Sequence, residues 1–243
     1  MPVARLKHVP SHAWSTETIA AALRLYQPKR VLVLFNGTGS VEQAVRRLWK
    51  HAEIITVDNV SKYKSTHTCD IRTFDFQQYP VGYFDVIWAS PPCTYYSVAR
   101  TTPTSPAQLQ QADSLVQAAQ NIINRLKPAY FFMENPHGNT HRRLALRPIM
   151  ENWEQYRHMT SYCHYGAPYR KNTDIWTNAP VQLRSCTALT PCLNKLRDGA
   201  HLRTAQSGPS RLPDGTTRAG MGSAEAAYPL PQPLLHSLLS ACT

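Results

Sequence analysis

The sequence contains no apolar run approaching the length of a bilayer span, so a transmembrane helix is not expected. Met1 to Pro10 carries basic residues without a following apolar core, so no secretory signal is expected either. Cysteine is sparse: Cys69, Cys93, Cys163, Cys186, Cys192 and Cys242 are spread along 243 positions. That spacing excludes the dense framework of a small disulfide scaffold. It points to a reducing, intracellular setting (cytoplasm, or nucleus/nucleoid), where single cysteines are catalytic, metal-binding or simply buried. Acidic residues are few, 15 against 26 Lys and Arg, which leaves a formal charge of +11. A field of that sign favours polyanions such as nucleic acid, and fits a soluble basic protein with no such partner equally well. No internal repeat is visible. What is present is a globular composition, 42% hydrophobic and 17% charged, in a length that suits one α/β domain with a small appendage.

The chain opens with a helical pattern: Ser15 or Thr16 as cap, Ile19, Leu23 and Tyr26 on one face, and Pro28 as stop. Val31 to Phe35 is an unbroken apolar run of strand length, which suits a parallel strand covered on both faces. Asn36 to Ser40 makes a turn, Val41 to Trp49 reads as a helix, and Ile54 to Val57 as a second strand ending at Asp58. A further strand, Asp85 to Ala89, is stopped by Ser90-Pro91-Pro92. After it, Ser105 caps a long helix whose stripe is Leu109, Ala112, Val116, Ala119, Ile123 and Leu126. Tyr130 to Met133 is another buried strand, and weaker ones are expected at Met159–Cys163 and Asp174–Thr177. The alternation predicts an α/β fold with a doubly wound, mostly parallel sheet. Residues 1–178 are read as the catalytic domain, 179–224 as an irregular insert rich in Pro, Gly, Arg and Ser, and 225–243 as a C-terminal helix packing back on the domain.

Three short segments fall where the strands end. Gly37-Thr38-Gly39 joins a strand to a helix, so a ligand can approach the backbone and the free N–H groups of the helix N-terminus. The third glycine of a dinucleotide fingerprint is replaced by Glu42, and no phosphate-loop lysine follows. With Asp58 placed to accept from a ribose, a nucleoside cofactor such as S-adenosylmethionine is preferred over NAD. Asp70 is either an acceptor for an adenine amino group or a solvated turn residue. Ser90-Pro91-Pro92-Cys93 presents a thiol on a stiff loop at the edge where open α/β sheets bind ligands. Taken alone, Cys93 reads as a structural cysteine. Glu134-Asn135-Pro136 puts a carboxyl group on the same edge, able to donate a proton near neutrality. A thiol, an acid and a glycine turn on one edge make a nucleophile, a proton donor and a cofactor pocket.

These segments, taken in order, resemble the DNA (cytosine-5) methyltransferase family, in particular its compact members from phages and mobile elements. The resemblance rests on Phe35-Asn36-Gly37-Thr38-Gly39 with Asp58, Ser90-Pro91-Pro92-Cys93 and Glu134-Asn135-Pro136. A further stretch, Tyr162-Cys163-His164-Tyr165-Gly166 followed by Arg170-Lys171 and Thr173 to Asn178, is also similar. It implies a Rossmann-like class I methyltransferase using S-adenosylmethionine, a DNA substrate (RNA as the alternative), and action as a monomer. Cys93, Glu134 and Arg170 would be catalytic. Phe35, Asn36, Gly37, Thr38, Gly39, Ser40, Asp58, Asn59, Asp70, Ile71 and Pro91 would hold the cofactor. Ser90, Pro92, Asn135, Pro136 and Lys171 would meet the substrate. The target base would be flipped out or taken single-stranded, with the Thr94–Thr104 loop and Arg100 closing over it. Three positions depart from the pattern: an aspartate at 58 in place of glutamate, Pro136 in place of valine, and no arginine in Glu225 to Pro229. The last motivates a rival reading, a nucleic-acid-binding homologue with weakened catalysis.

Cys186, Cys192 and His201, completed by Cys163 or His164, are candidate zinc ligands. Their spacing is not the tight Cys-x-x-Cys of a finger, so they are read as loop residues and no metal is assigned. Arg142, Arg143, Arg147 and Arg157 are either phosphate contacts or a solvated basic face.

Overall fold

The computed structural model describes residues 27–97, 102–138, 143–196, 201–203, 205, 209–211, 215, 217–220 and 229–242. The N-terminal helix expected up to Tyr26, Arg100, Arg142 and Glu225–Tyr228 lie outside the described residues. The first elements among the described residues are β1 (Arg30–Leu34), α1 (Ser40–Leu48), β2 (Glu53–Asp58) and β3 (His67–Thr68). It continues through β4 (Val86–Ala89), α2 (Pro106–Leu126) and β5 (Tyr130–Pro136) to β6 (Arg157–Ser161) and β7 (Asn172–Thr177). The two-residue strands β8 (Ser210–Arg211) and β9 (Thr217–Arg218) and the helix α3 (Gln232–Leu239) complete it.

Seven strands form one sheet in the order β3-β2-β1-β4-β5-β7-β6. The first five in that order run parallel, and β7 runs antiparallel to both β5 and β6. This is the doubly wound, Rossmann-like sheet that the alternating pattern predicts, with an antiparallel hairpin added at one side. Alternate residues of each strand point to opposite faces. Val31, Val33, Val86, Trp88 and Phe132 pack against Val41 and Val45 of α1 and Leu234, Leu235, Leu238 and Leu239 of α3. Leu32, Leu34, Ile87, Ala89 and Met133 pack on the other face against Ala112, Val116, Ala119 and Ile123 of α2. Burial on both faces explains why β1, β4 and β5 read as continuous apolar runs. α2 begins at a full capping box: the Ser105 hydroxyl accepts from the Gln108 N–H, and the Gln108 side chain accepts from the Ser105 N–H.

One boundary differs from the sequence reading in a way that shapes the site. β5 does not stop at Met133 but runs on to Pro136. Its parallel ladder with β4 ends at Ala89↔Met133, while its antiparallel ladder with β7 continues through Glu134↔Ile175 and Asn135↔Asp174 to Pro136↔Thr173. β7 holds Glu134 in a strand at the level where the chain after β4 has already left the sheet. The two tips diverge and leave a cleft. Among the described residues, no helix is long and apolar enough to cross a membrane.

Candidate active site

The cleft at the carboxyl edge of the parallel strands is one continuous cavity. Phe35, Asn36, Gly37, Thr38, Ser40, Asp58, Asn59, Ser90, Pro91, Pro92, Cys93, Glu134, Pro136 and Lys171 line it, with Val41, Val60, Tyr63, Thr94 and Leu230. The glycine turn, the thiol loop and the glutamate strand thus face one space.

The glycine turn departs from ordinary helix and strand geometry. Phe35, Gly37 and Gly39 have φ of 59°, 52° and 75°, in the left-handed region, which costs a Phe far more than a glycine. Asp58, at the tip of β2, holds that shape: Oδ2 accepts from the Gly37 N–H at 2.8 Å and Oδ1 from the Val60 N–H at 2.8 Å. Each carboxylate oxygen keeps a second lone-pair direction for a ligand hydroxyl. The buried Asn36 Oδ1 has no hydrogen-bond partner among the described residues. Gly39 lies on the far side of the turn, in an adjoining pocket with Glu42 and Arg46.

The thiol loop is tied at both ends. The Asn135 amide donates to the Pro91 carbonyl at 2.9 Å, and the Trp88 indole N–H donates to the Ser90 hydroxyl at 2.8 Å. Beyond Cys93 the chain turns back, with Tyr96 and Ser97 N–H groups donating to the Cys93 carbonyl. The buried Tyr96 then anchors its hydroxyl on Asp113 of α2, which also holds Arg147 in a two-point ion pair. Burial pushes the Cys93 thiol up from its ordinary value; the Lys171 ammonium opposes this, and the Glu134 carboxylate adds to it.

Glu134 is buried, and its Oε1 accepts from the Thr173 hydroxyl at 2.5 Å and the Tyr162 hydroxyl at 3.2 Å. Tyr162 is fully buried and its hydroxyl is held protonated, chiefly by burial and then by the Glu134 charge. Lys171 reaches over the Tyr162 ring, 4.7 Å from its centre.

Several expected residues fall elsewhere. Arg170 is exposed and does not line the cavity, whereas its neighbour Lys171 does. Asp70 caps the 3₁₀ turn after β3 and is clamped by Arg72, and Ile71 is buried in the core beneath; neither lines the cavity. Asn135 is fully buried, so it braces the Pro91 loop and does not face the open space. Of the arginines weighed as phosphate contacts, Arg147 is bound to Asp113, Arg157 to Glu154 and Asp174, and Arg143 to the Gly138 carbonyl. Tyr162 and Thr173 were not singled out as site residues. The signal available was their place in the two segments flanking Lys171.

Residues 35–162 match the family model of C-5 cytosine-specific DNA methylases. The chain is 30% identical, over 88% of its own length and the whole of the relative, to a probable DNA (cytosine-5)-methyltransferase of Frog virus 3 (isolate Goorha). The chain belongs to the C-5 cytosine-specific DNA methylase family. The methylase is therefore an enzyme of the methyltransferase class. Among solved structures it is similar to the Entamoeba histolytica methyltransferase EhMeth, with a TM-score of 0.43 and 14% identity over 67% of this chain and 58% of that one. An antibiotic-related methyltransferase gives 0.39 and 8% over 71% and 96%. The methylase thus spans less than two thirds of the EhMeth chain.

Proposed function

We infer that this methylase transfers a methyl group from S-adenosylmethionine to carbon 5 of cytosine in DNA, through a covalent bond between Cys93 and carbon 6. The observation that carries the reading is that Cys93, Glu134, Lys171 and the Gly37 turn line one cavity. The turn suits the donor: Asp58 keeps lone pairs for ribose hydroxyls, Asn36 Oδ1, without a partner among the described residues, suits an ammonium, and Phe35 offers a half-buried ring. When bound, S-adenosylmethionine supplies an electrophilic methyl group on a sulfonium.

Carbon 5 of cytosine is a poor nucleophile until the ring loses its aromaticity. The Cys93 thiolate adds to carbon 6 while Glu134 holds the N3 edge and delivers a proton there, and carbon 5 becomes enamine-like. After methylation a solvent base takes the carbon 5 proton, that electron pair re-forms the carbon 5–carbon 6 double bond as Cys93 leaves as thiolate, and N3 returns its proton to Glu134. Lys171 serves twice in this scheme, favouring the thiolate and offering a donor to the base or its phosphate. Tyr162 and Thr173 fix the Glu134 carboxyl by loading one oxygen, so the other faces the base. The target base must leave the helix to reach a site at this depth.

The test is tritiated-methyl transfer to duplex DNA, single-stranded DNA and tRNA, followed by nucleoside identification. Labelled 5-methylcytosine from DNA is the expected product. Label found only in tRNA would move the substrate to RNA. Binding of DNA with no transfer in any context would leave a binding protein.

A further inference from the structure

We propose that Cys163, Cys186, Cys192 and His201 bind one zinc ion, which clips the irregular segment after β7 to the turn between β6 and β7. The four side chains come from separate places in the chain, yet their ligand atoms all lie within 4.8 Å of one another, and all four residues are buried. His201 Nε2 sits 3.3 Å from the Cys192 sulfur and 3.5 Å from that of Cys186. Tetrahedral zinc bonded to sulfur and imidazole nitrogen at its usual lengths sets those two ligands roughly 3.6 Å apart, so the spacing is that of a coordination shell. Three soft sulfurs with one imidazole select a tetrahedral, thiophilic ion over magnesium or calcium.

The burial pattern of the segment supports the same reading. Cys186, Cys192 and His201 are nearly inaccessible, at 5%, 8% and 5% exposure, whereas Leu189 and Leu193 are fully exposed at 94% and 105%. Hydrophobic burial alone would draw in the leucines before an imidazole. The three buried sulfurs form a small cluster of their own, apart from the two faces of the sheet. Among the described residues from Cys186 to His201 only Cys186, Cys192 and His201 are buried; a stretch of that kind is typically organised by a metal or a disulfide, and three thiols around one imidazole nitrogen suit the former. The backbone is arranged around the point: the Cys186 N–H donates to the Ser161 hydroxyl, Asn194 to the Ala167 carbonyl, and the Arg203 N–H to the Pro168 carbonyl. His164, the other candidate, turns away to the Thr190 carbonyl.

The site is independent of methyl transfer, but it touches it at one point. Cys163 follows Tyr162, whose hydroxyl holds Glu134. Binding releases the three thiol protons to solvent and adds a fixed point next to that tyrosine.

The full chain, purified under reducing conditions, is expected to carry about one zinc per molecule by elemental analysis. Cys186→Ala and Cys192→Ala should lose it, and Cys69→Ala and Cys242→Ala should keep it. Because the first two variants could fail to fold, the wild-type chain is also alkylated with iodoacetamide before and after chelation. Cys163, Cys186 and Cys192 should be protected at least about tenfold until the chelator is added, while Cys69 reacts throughout. Cobalt(II) exchange should give the sulfur-to-metal charge-transfer and tetrahedral visible bands of a thiolate site. Three results would overturn the proposal: a metal-free chain after refolding with zinc, thiols equally reactive with and without chelator, or a Cys186–Cys192 disulfide found by mass spectrometry.

Discussion

The side-chain amide of Asn135 donates to the carbonyl of Pro91 at 2.9 Å, joining the strand that carries Glu134 to the loop that carries Cys93. Each end of that bond lies within two residues of a proposed catalytic group. This buried contact ties the acid strand directly to the thiol loop across the divergence of β4 and β5.

Removing that contact should cost more activity than binding. Asn135→Ala leaves the Pro91 carbonyl without its donor and opens a small void, at a stability cost of about 1–3 kcal/mol. The looser thiol loop should lower the methyl-transfer rate by about a hundredfold, since small misplacements of reacting groups have effects of that order. Donor affinity, read by calorimetry, should hardly change because the glycine turn is untouched. A variant with the wild-type rate would show that the bond does not position Cys93.

The two proposed catalytic groups should separate in a trapping experiment. DNA containing 5-fluorocytosine cannot lose a proton from carbon 5, so a competent site stays covalently joined to it. Cys93→Ala should form no adduct that survives denaturation. Glu134→Gln keeps the partners of Oε1 but cannot supply the proton, so it should form the adduct about 10²–10⁴-fold more slowly. An adduct of normal yield in Cys93→Ala would assign the nucleophile elsewhere.

Much of this site was legible along the chain because its two key residues follow simple runs. Val86–Ala89 and Tyr130–Met133 are apolar runs, and Ser90-Pro91-Pro92 and Glu134-Asn135 follow them at the ligand edge of an open sheet. What was not legible depends on register. Tyr162 and Thr173 reach Glu134 only because β7 pairs antiparallel with both β5 and β6, and a segment as short as Asn172–Thr177 does not declare its direction. Arg170 and Lys171 are neighbours of like charge, and only the folded path of the chain into β7 decides which of them enters the cavity. The Cys163, Cys186, Cys192 and His201 group defeats local reading for a related reason: its members are gathered by the path of an irregular segment and have no fixed spacing.

The pH dependence should report the Cys93 environment. Burial raises the thiol above its ordinary range, so at neutral pH the thiolate is the minor form in the free enzyme. Single-turnover transfer should therefore rise with pH and level off only above the range of an exposed cysteine. Lys171 is the charged group that opposes the rise, so Lys171→Gln should displace the limb further to the alkaline side and lower the neutral-pH rate, with less effect once the thiol is ionised. A limb that stays in place in Lys171→Gln would remove the lysine from the thiol's electrostatics.

Asp58 offers the cleanest separation of donor binding from chemistry. Its two oxygens accept from the Gly37 and Val60 N–H groups, and this carboxylate stabilises a turn in which Phe35 and Gly37 both have positive φ. In Asp58→Asn one acceptor becomes an NH₂ group facing a backbone N–H, so one of the two bonds must break and the turn can relax. Hydrogen bonds to charged acceptors are worth about 1.5–3 kcal/mol, which corresponds to a loss of about ten- to a hundredfold in S-adenosylmethionine affinity. The Cys93 loop and Glu134 keep their own anchors, Asn135, Tyr96, Thr173 and Tyr162, so at saturating donor the transfer rate should remain near that of the wild type. Titration calorimetry with S-adenosylhomocysteine and a donor-concentration series measure the two quantities separately. A fall in the saturated rate with unchanged affinity would mean that Asp58 acts on the chemistry of the cleft and not on its donor half.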